Sequence, residues 1–290
     1  MAIEHMKTWK VGAVEITRLV EVWKWEDDIW MVLEDSKPPI VHTQPWLIPD
    51  HATAEGRMFI NFQAFFVKAG NRRIMIDTCI GADRERQFPV FTNMRTTFMQ
   101  DLASLGVAPD DIDTVLCTHL HFDHVGWNTH LVDGRWVPTF PKARYVFGKA
   151  EYDYWAEQHA KTAVPPFGDS VLPVVEAKQA EMVGNDFAVG DHLRILPTPG
   201  HTPGHVAFTF GKAKDDAVFV GDMMHSPLQL QHPELSPRFD VDPVQAAVTR
   251  KNFLERYCDT DTLCCTAHFP SPSTGQIRRK GNGFSCEAVS

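Results

Sequence analysis

The segment Thr118-His119-Leu120-His121-Phe122-Asp123-His124 packs three imidazoles and a carboxylate into the six positions that start at His119. Side chains of this kind at this density need a cation, and a cation needs further ligands from elsewhere in the chain, so the cluster constrains the fold more than any other feature. Imidazole and carboxylate are what Zn2+ and related first-row ions take. On an extended segment His119 and His121 point to the same side and can share one ion. Asp123 and His124 turn away where a helix begins and can serve a second. Neither ion is complete, because zinc sites use about three protein ligands and, when catalytic, keep a position for water. The missing ligands are expected downstream.

Three places supply them. Thr198-Pro199-Gly200-His201-Thr202-Pro203-Gly204-His205 follows the mostly apolar run Leu193 to Leu196, which puts His201 in a Pro/Gly turn at a strand end. Asp222 closes the apolar run Ala217 to Gly221, and His268 closes Leu263 to Ala267. Each candidate stands at a strand terminus, where a sheet scaffold carries its functional groups.

His-x-His-x-Asp-His, then a Gly-His after a strand, an Asp after a strand and a late His resembles the metallo-β-lactamase superfamily. The motifs occur in order from His119 to His268, with a matching first hairpin that includes Asp77. The resemblance implies that His119, His121 and His201 hold one metal, that Asp123, His124 and His268 hold a second, and that Asp222 bridges both. It implies an α/β fold of the αββα sandwich type, two β-sheets with helices on the outer faces. The set of motifs carries the assignment, since any one piece alone is weak.

Blander readings suit the other histidines. His5, His42, His51, His130, His159, His192 and His232 are read as surface or hydrogen-bonded residues. His205 begins the next strand, so a supporting or packing role beside His201 is preferred. Asp77, closing Ile74-Met75-Ile76, is read as a buried hydrogen-bonding brace for the metal loop.

At 290 residues the length allows one large domain or two small ones. The ligands spread across about half the chain, so a single domain over 1–290 is expected, with 1–57 as an aromatic arm packed on it. The net charge of −9 argues against nucleic acid, and Arg278-Arg279-Lys280 is read as a solvated tail. The start has no signal-like apolar run and no stretch approaches a membrane span, so a cytoplasmic location without a membrane partner is expected. The six cysteines show no paired spacing of a disulfide scaffold.

Strands are expected at 13–19, 58–67, 73–76, 114–118, 144–147, 193–197, 206–210, 217–220 and 262–267. Helices are expected at 93–105, 149–157, 172–182 and 243–257, the last with Asp242 as N-cap and Pro243 at its first position. Gly70-Asn71 reads as a hairpin turn. Residues 139–183 form an insertion that serves either as pocket wall or as ordinary outer helices.

Five of the eight tryptophans lie in the first 57 residues. They pack the arm on the body, or Trp23, Trp25 and Trp30 form an apolar rim over the site or a homodimer contact. Phe269, next to His268, is a further candidate for the substrate pocket.

The chemistry expected of the ligand set is hydrolysis of a small-molecule substrate by a hydroxide bridging two divalent ions, Zn2+ first, with Mn, Co or Fe also compatible. No Gly-x-Ser-x-Gly elbow supplies a protein nucleophile. Asp123 is the candidate proton carrier. Within the superfamily the chain most resembles the quorum-quenching lactonase and organophosphate hydrolase branch, through its length, its aromatic arm, Ile76-Asp77-Thr78-Cys79 and the Asp222 bridge. This implies opening of a lactone or related ester, with an organophosphate triesterase or aryl esterase as alternative. A thioesterase, a β-lactamase-like hydrolase and a mononuclear iron dioxygenase stand further back. Homoserine lactonases of this branch commonly carry a Tyr three residues after the bridging Asp. His225 occupies that position here and is the candidate hydrogen-bond donor to substrate.

Overall fold

The computed structural model describes residues 6–28, 39–190, 192–270 and 272–289. They form two compact units, one of residues up to Val22 with Phe62–Phe187, the other of Trp23–Asn61 with the residues from Ala188 onward. The stretch 1–57 therefore divides between the units. Trp30 lies outside the described residues.

The first unit is built on a seven-stranded sheet in the order β1 (Met6–Val11), β2 (Val14–Asp28), β3 (Arg57–Ala69), β4 (Arg72–Ile76), β5 (Thr114–Leu116), β8 (Arg144–Gly148) and β9 (Ala180–Val183). The ends of β2 and β3, Trp23–Asp28 and Arg57–Asn61, group with the second unit. A separate hairpin pairs β6 (Thr129–Val132) with β7 (Arg135–Pro138). β3 and β4 are antiparallel around the Gly70 turn, where φ is +62°, a value that glycine adopts at little cost. β4, β5, β8 and β9 run parallel. Their carboxyl ends thus share one edge of the sheet, the edge at which open α/β sheets carry ligands. Asp77 follows β4 there, the His119–His124 loop follows β5, and helix Lys149–Lys161 follows β8.

Among the described residues the α-helices are α1 (Pro39–His42), α2 (Phe98–Ser104), α3 (Phe122–Val125), α4 (Lys149–Lys161), α5 (Leu172–Glu176), α6 (Leu228–Gln231) and α7 (Pro243–Tyr257). Phe98 and Leu102, at i and i+4 on α2, share one apolar cluster with Phe66, Met75, Val115, Tyr145 and Phe147 of the sheet.

The second unit carries the sheet β10 (Ala188–Val189), β11 (Leu193–Pro197), β12 (Val206–Phe210), β13 (Ala217–Phe219), β14 (Leu263–Cys265), β15 (Thr274–Lys280) and β16 (Gly283–Ala288), paired in that order. β13 and β14 are parallel, and β11 is antiparallel to β12, which is antiparallel to β13. The carboxyl ends of β11, β13 and β14 therefore meet on one edge, and His201, Asp222 and His268 follow these ends. Phe253, Leu254 and Tyr257 of α7 pack into a cluster with Val218, Cys264, Ile277 and Phe284. Asp242 caps α7, accepting from the Gln245 amide at 2.9 Å.

Two expectations are corrected. The helix expected at 172–182 stops at Glu176, and Ala180–Val183 pairs with β8 as an edge strand. Arg278-Arg279-Lys280 is no tail but part of β15, paired with β16. Both errors arise because short edge strands and charged hairpins lack the apolar run by which strands are recognised. No helix among the described residues is long and apolar enough to cross a membrane.

Candidate functional site

In the first unit, His121 ends the extended stretch after β5, with φ −70° and ψ 159°, and Asp123 and His124 lie in the single turn of α3. The ligand atoms of His119 and His121 lie within 4.8 Å of each other, as do those of Asp123 and His124. His119 Nε2 approaches His121 Nδ1 at 3.0 Å. Two ring nitrogens converge there at hydrogen-bond distance, an arrangement that a proton on one ring or a shared cation satisfies. Asp77 takes φ +57°, a costly backbone for a residue other than glycine. Its carboxylate accepts from the Thr118 amide at 2.7 Å and the Thr118 hydroxyl at 2.8 Å, and His124 Nδ1 donates to it at 2.9 Å. The His124 Nε2 edge faces Asp123, 3.5 Å from Oδ2. Asp77 is thus the brace expected from the sequence.

In the second unit, the Asp222 carboxylate is 3.3 Å from His201 Nε2, 3.1 Å from His225 Nε2 and 2.8 Å from His268 Nε2. All four side chains are buried. His201 Nδ1 donates to Asp240 at 2.7 Å, and His268 Nδ1 donates to the Asn61 carbonyl at 2.8 Å. An acceptor on the far nitrogen fixes a ring's tautomer and aims the other nitrogen, as in metal-ligating histidines. His205 acts one step back. Its Nε2 accepts from the Asp222 amide at 3.0 Å, and Nδ1 meets the Thr198 hydroxyl at 2.8 Å. His225 stacks on His268, ring centroids 4.9 Å apart and 14° from parallel.

The electrostatics of this group are those of a cation site. Burial alone would lower the His201 imidazole, but the Asp222 and Asp240 carboxylates overcome it and hold the ring at about 9. A proton there occupies a field that would equally favour a metal ion. Burial pushes His225 below its ordinary value against the pull of Asp222, so this ring is neutral near pH 7. The donor set, buried imidazoles and carboxylates with oriented far nitrogens, fits divalent first-row ions.

Two contributors were not visible in the sequence. Asp240 lies in an irregular loop with no periodic signal. Arg250 sits on α7 where a charged residue reads as solvent-facing, yet it is fully buried. Its Nε donates to the Met223 carbonyl at 2.7 Å, and its guanidinium lies 3.6 Å from Asp240 Oδ2. It thereby ties the Asp222 loop to the residue that aims His201.

The aromatic candidates divide. Trp23 and Trp25 are half-buried on β2, in the part that groups with the second unit, and Lys24 between them takes φ +48°. Lys24 Nζ stands 6.0 Å from the Trp23 ring and 5.2 Å from the Phe59 ring. Phe269 is no open wall. It has no exposed surface and belongs to the apolar cluster with Val218 and Leu254, because an apolar ring next to a strand end gains more from the core than from solvent. In the first unit, half-buried Phe122 packs beside Phe88 and Phe91, with centroids 6.1 Å and 5.6 Å away.

The family model of the Metallo-beta-lactamase superfamily matches residues 63–268. An N-acyl homoserine lactonase of Bacillus sp. is 30% identical over 119 residues, 41% of this chain and 41% of the relative. A hydroxyacylglutathione hydrolase of Synechococcus sp. is 32% identical over 126 residues, 43% of this chain and 39% of the relative. The chain thus spans well under half the length of these curated relatives. Among solved structures, the hydrolase AbOPH of the beta lactamase superfamily aligns with TM-score 0.83 at 23% identity, over 99% of this chain and 98% of that one. AidC, a dizinc quorum-quenching lactonase, aligns with TM-score 0.78 at 22% identity, over 98% and 97%. These likenesses establish the fold.

Proposed function

Because the chain belongs to the metallo-beta-lactamase superfamily, we propose that it is a metal-dependent hydrolase that opens a lactone or related ester at a centre of two divalent ions, zinc in the first instance. His119, His121 and His201 hold one ion, Asp123, His124 and His268 the other, and Asp222 is shared. The observation that carries this reading is the Asp222 carboxylate within 3.3 Å of His201 and 2.8 Å of His268, each ring aimed by a second partner. The small-molecule substrate is suggested by the lactonase relatives. The centre works within one functional domain.

Two bound divalent ions supply an acidified water as nucleophile and an electrophile for the substrate oxygen. The chain's own residues do the rest. Asp123, on the rigid turn of α3, receives the proton from the nucleophile and passes it to the leaving oxygen. His225 carries its proton on Nε2 beside Asp222 and turns that N–H to the carbonyl or leaving oxygen. Trp23 and Trp25 contribute the apolar rim, in the monomer or at a dimer contact. His225 in place of the Tyr of homoserine lactonases favours a second reading, an aryl ester or organophosphate as substrate.

The test is metal content together with a hydrolysis panel of acyl-homoserine lactones, aryl lactones, aryl esters, phosphotriesters, thioesters and β-lactams. Saturated protein freed of excess metal is expected to hold about two equivalents, and lactones are expected to be turned over fastest. One firm equivalent, unchanged in Asp222→Ala, overturns the two-ion centre.

A further inference from the structure

α4 lies outside the ligand motifs, yet its Glu151 is only 1% exposed. A buried carboxylate is costly unless N–H donors surround it. Two converge on one oxygen: the Leu120 amide donates to Oε1 at 3.0 Å and Trp155 Nε1 donates to the same atom at 2.7 Å. Leu120 is the residue between His119 and His121, so the direction of its amide governs the backbone that aims both imidazoles. Trp155, one helical turn beyond Glu151, sets its ring against the His121 imidazole, centroids 5.3 Å apart and 68° between planes.

Restraint of this kind has a reason. The ring nitrogens of His119 and His121 stand 3.0 Å apart, where a proton on either ring bridges them, and a cation that replaces this proton needs both nitrogens held on one point. His124, His201 and His268 are aimed through acceptors on Nδ1. His121 presents Nδ1 itself to its neighbour, and the backbone at Leu120 and the Trp155 ring on its flank contribute to its aim.

We infer that Glu151 is a positioning residue for the His119–His121 arm, acting through the Leu120 amide and, with Trp155, on the His121 ring. This rests on the reading that the two imidazoles hold a metal ion. Charge-assisted hydrogen bonds are the stronger ones, so the carboxylate rather than an amide is the effective anchor.

The test titrates metal-free protein with cobalt(II), read by visible absorption and by competition with a chelator, in wild type, E151Q, E151A, W155F and H121A. H121A identifies the equivalent held by this arm. E151A is expected to weaken that equivalent by about ten- to a hundredfold, the usual cost of losing such a partner, while the other changes by less than about twofold. E151Q keeps shape and an acceptor oxygen without the charge, and W155F keeps a ring without the N–H. Both are expected to fall between wild type and E151A, and E151Q decides the matter if E151A does not fold. Wild-type affinity in E151Q and E151A, or equal weakening of both equivalents, overturns the positioning role alone. A wild type that takes up no cobalt overturns the metal centre and this role with it.

Discussion

His225 and His51 show how burial tunes one side chain for different ends. Burial lowers His225 against the pull of Asp222, so its one N–H can serve as a donor without a second positive charge among the ligand candidates. His225→Ala is expected to lower kcat and kcat/KM together, by roughly ten- to a thousandfold, the range for one lost transition-state donor. Kinetics within about twofold of wild type at full metal occupancy would instead assign the ring to packing. His51 was expected at the surface or in a hydrogen bond, but it is buried and its Nδ1 has no hydrogen-bond partner. Burial lowers it to about 4. The folded chain therefore binds fewer protons than the unfolded one between about pH 6.5 and about pH 4, and stability falls as pH drops through that window. The loss amounts to at most about 3.5 kcal/mol. Urea midpoints measured across this window should fall less steeply in His51→Gln, and parallel curves would rule the residue out. The ligand candidates could be read from the sequence because imidazoles and carboxylates at fixed spacing have few structural uses. Asp240, Arg250 and Glu151 could not, because a single buried charge looks like a solvated one until its partner is known.

Strand direction explains why the ligand candidates stand where they do. Parallel β4, β5 and β8 bring Asp77, the His119–His124 loop and Glu151 to one edge, and parallel β13 and β14 do the same for Asp222 and His268. Most of these strands were legible as apolar runs ended by turn residues. The first strand, the β6–β7 hairpin and the β15–β16 hairpin were not, since their polar or charged residues hide the alternation. The loop after β5 is locked from below by Gly126. Its amide donates to the Cys79 carbonyl at 2.7 Å, and a Cβ built there would stand 2.0 Å from the Ile80 carbonyl. Gly126→Ala must therefore move backbone, and a loss of about 1–3 kcal/mol or more is expected. Thermal melting of the metal-free protein checks it, and an unshifted transition would mean that the Ile80 segment yields freely.

Each unit carries its own sheet and apolar cluster, and a metal held by residues that only the folded chain brings together would couple metal binding to folding. A ligand that binds only the native state stabilises it by about 2.7 kcal/mol at a hundred times its dissociation constant. Chelation is accordingly expected to lower the melting temperature by several degrees, and Asp222→Ala to blunt that response. A melt indifferent to chelator would contradict the coupling. The linear order of the chain adds a temporal consequence. His119–His124 emerges from a ribosome about 140 residues ahead of His268, and at roughly 5–20 residues per second this is an interval on the order of ten seconds. During that interval the His119–His124 loop is exposed while His201, Asp222 and His268 are added in turn. If the proposed centre forms, a loop with only part of its ligand set would meet metal ions before the remaining candidates exist, so the order of synthesis would bear on which ion is taken up.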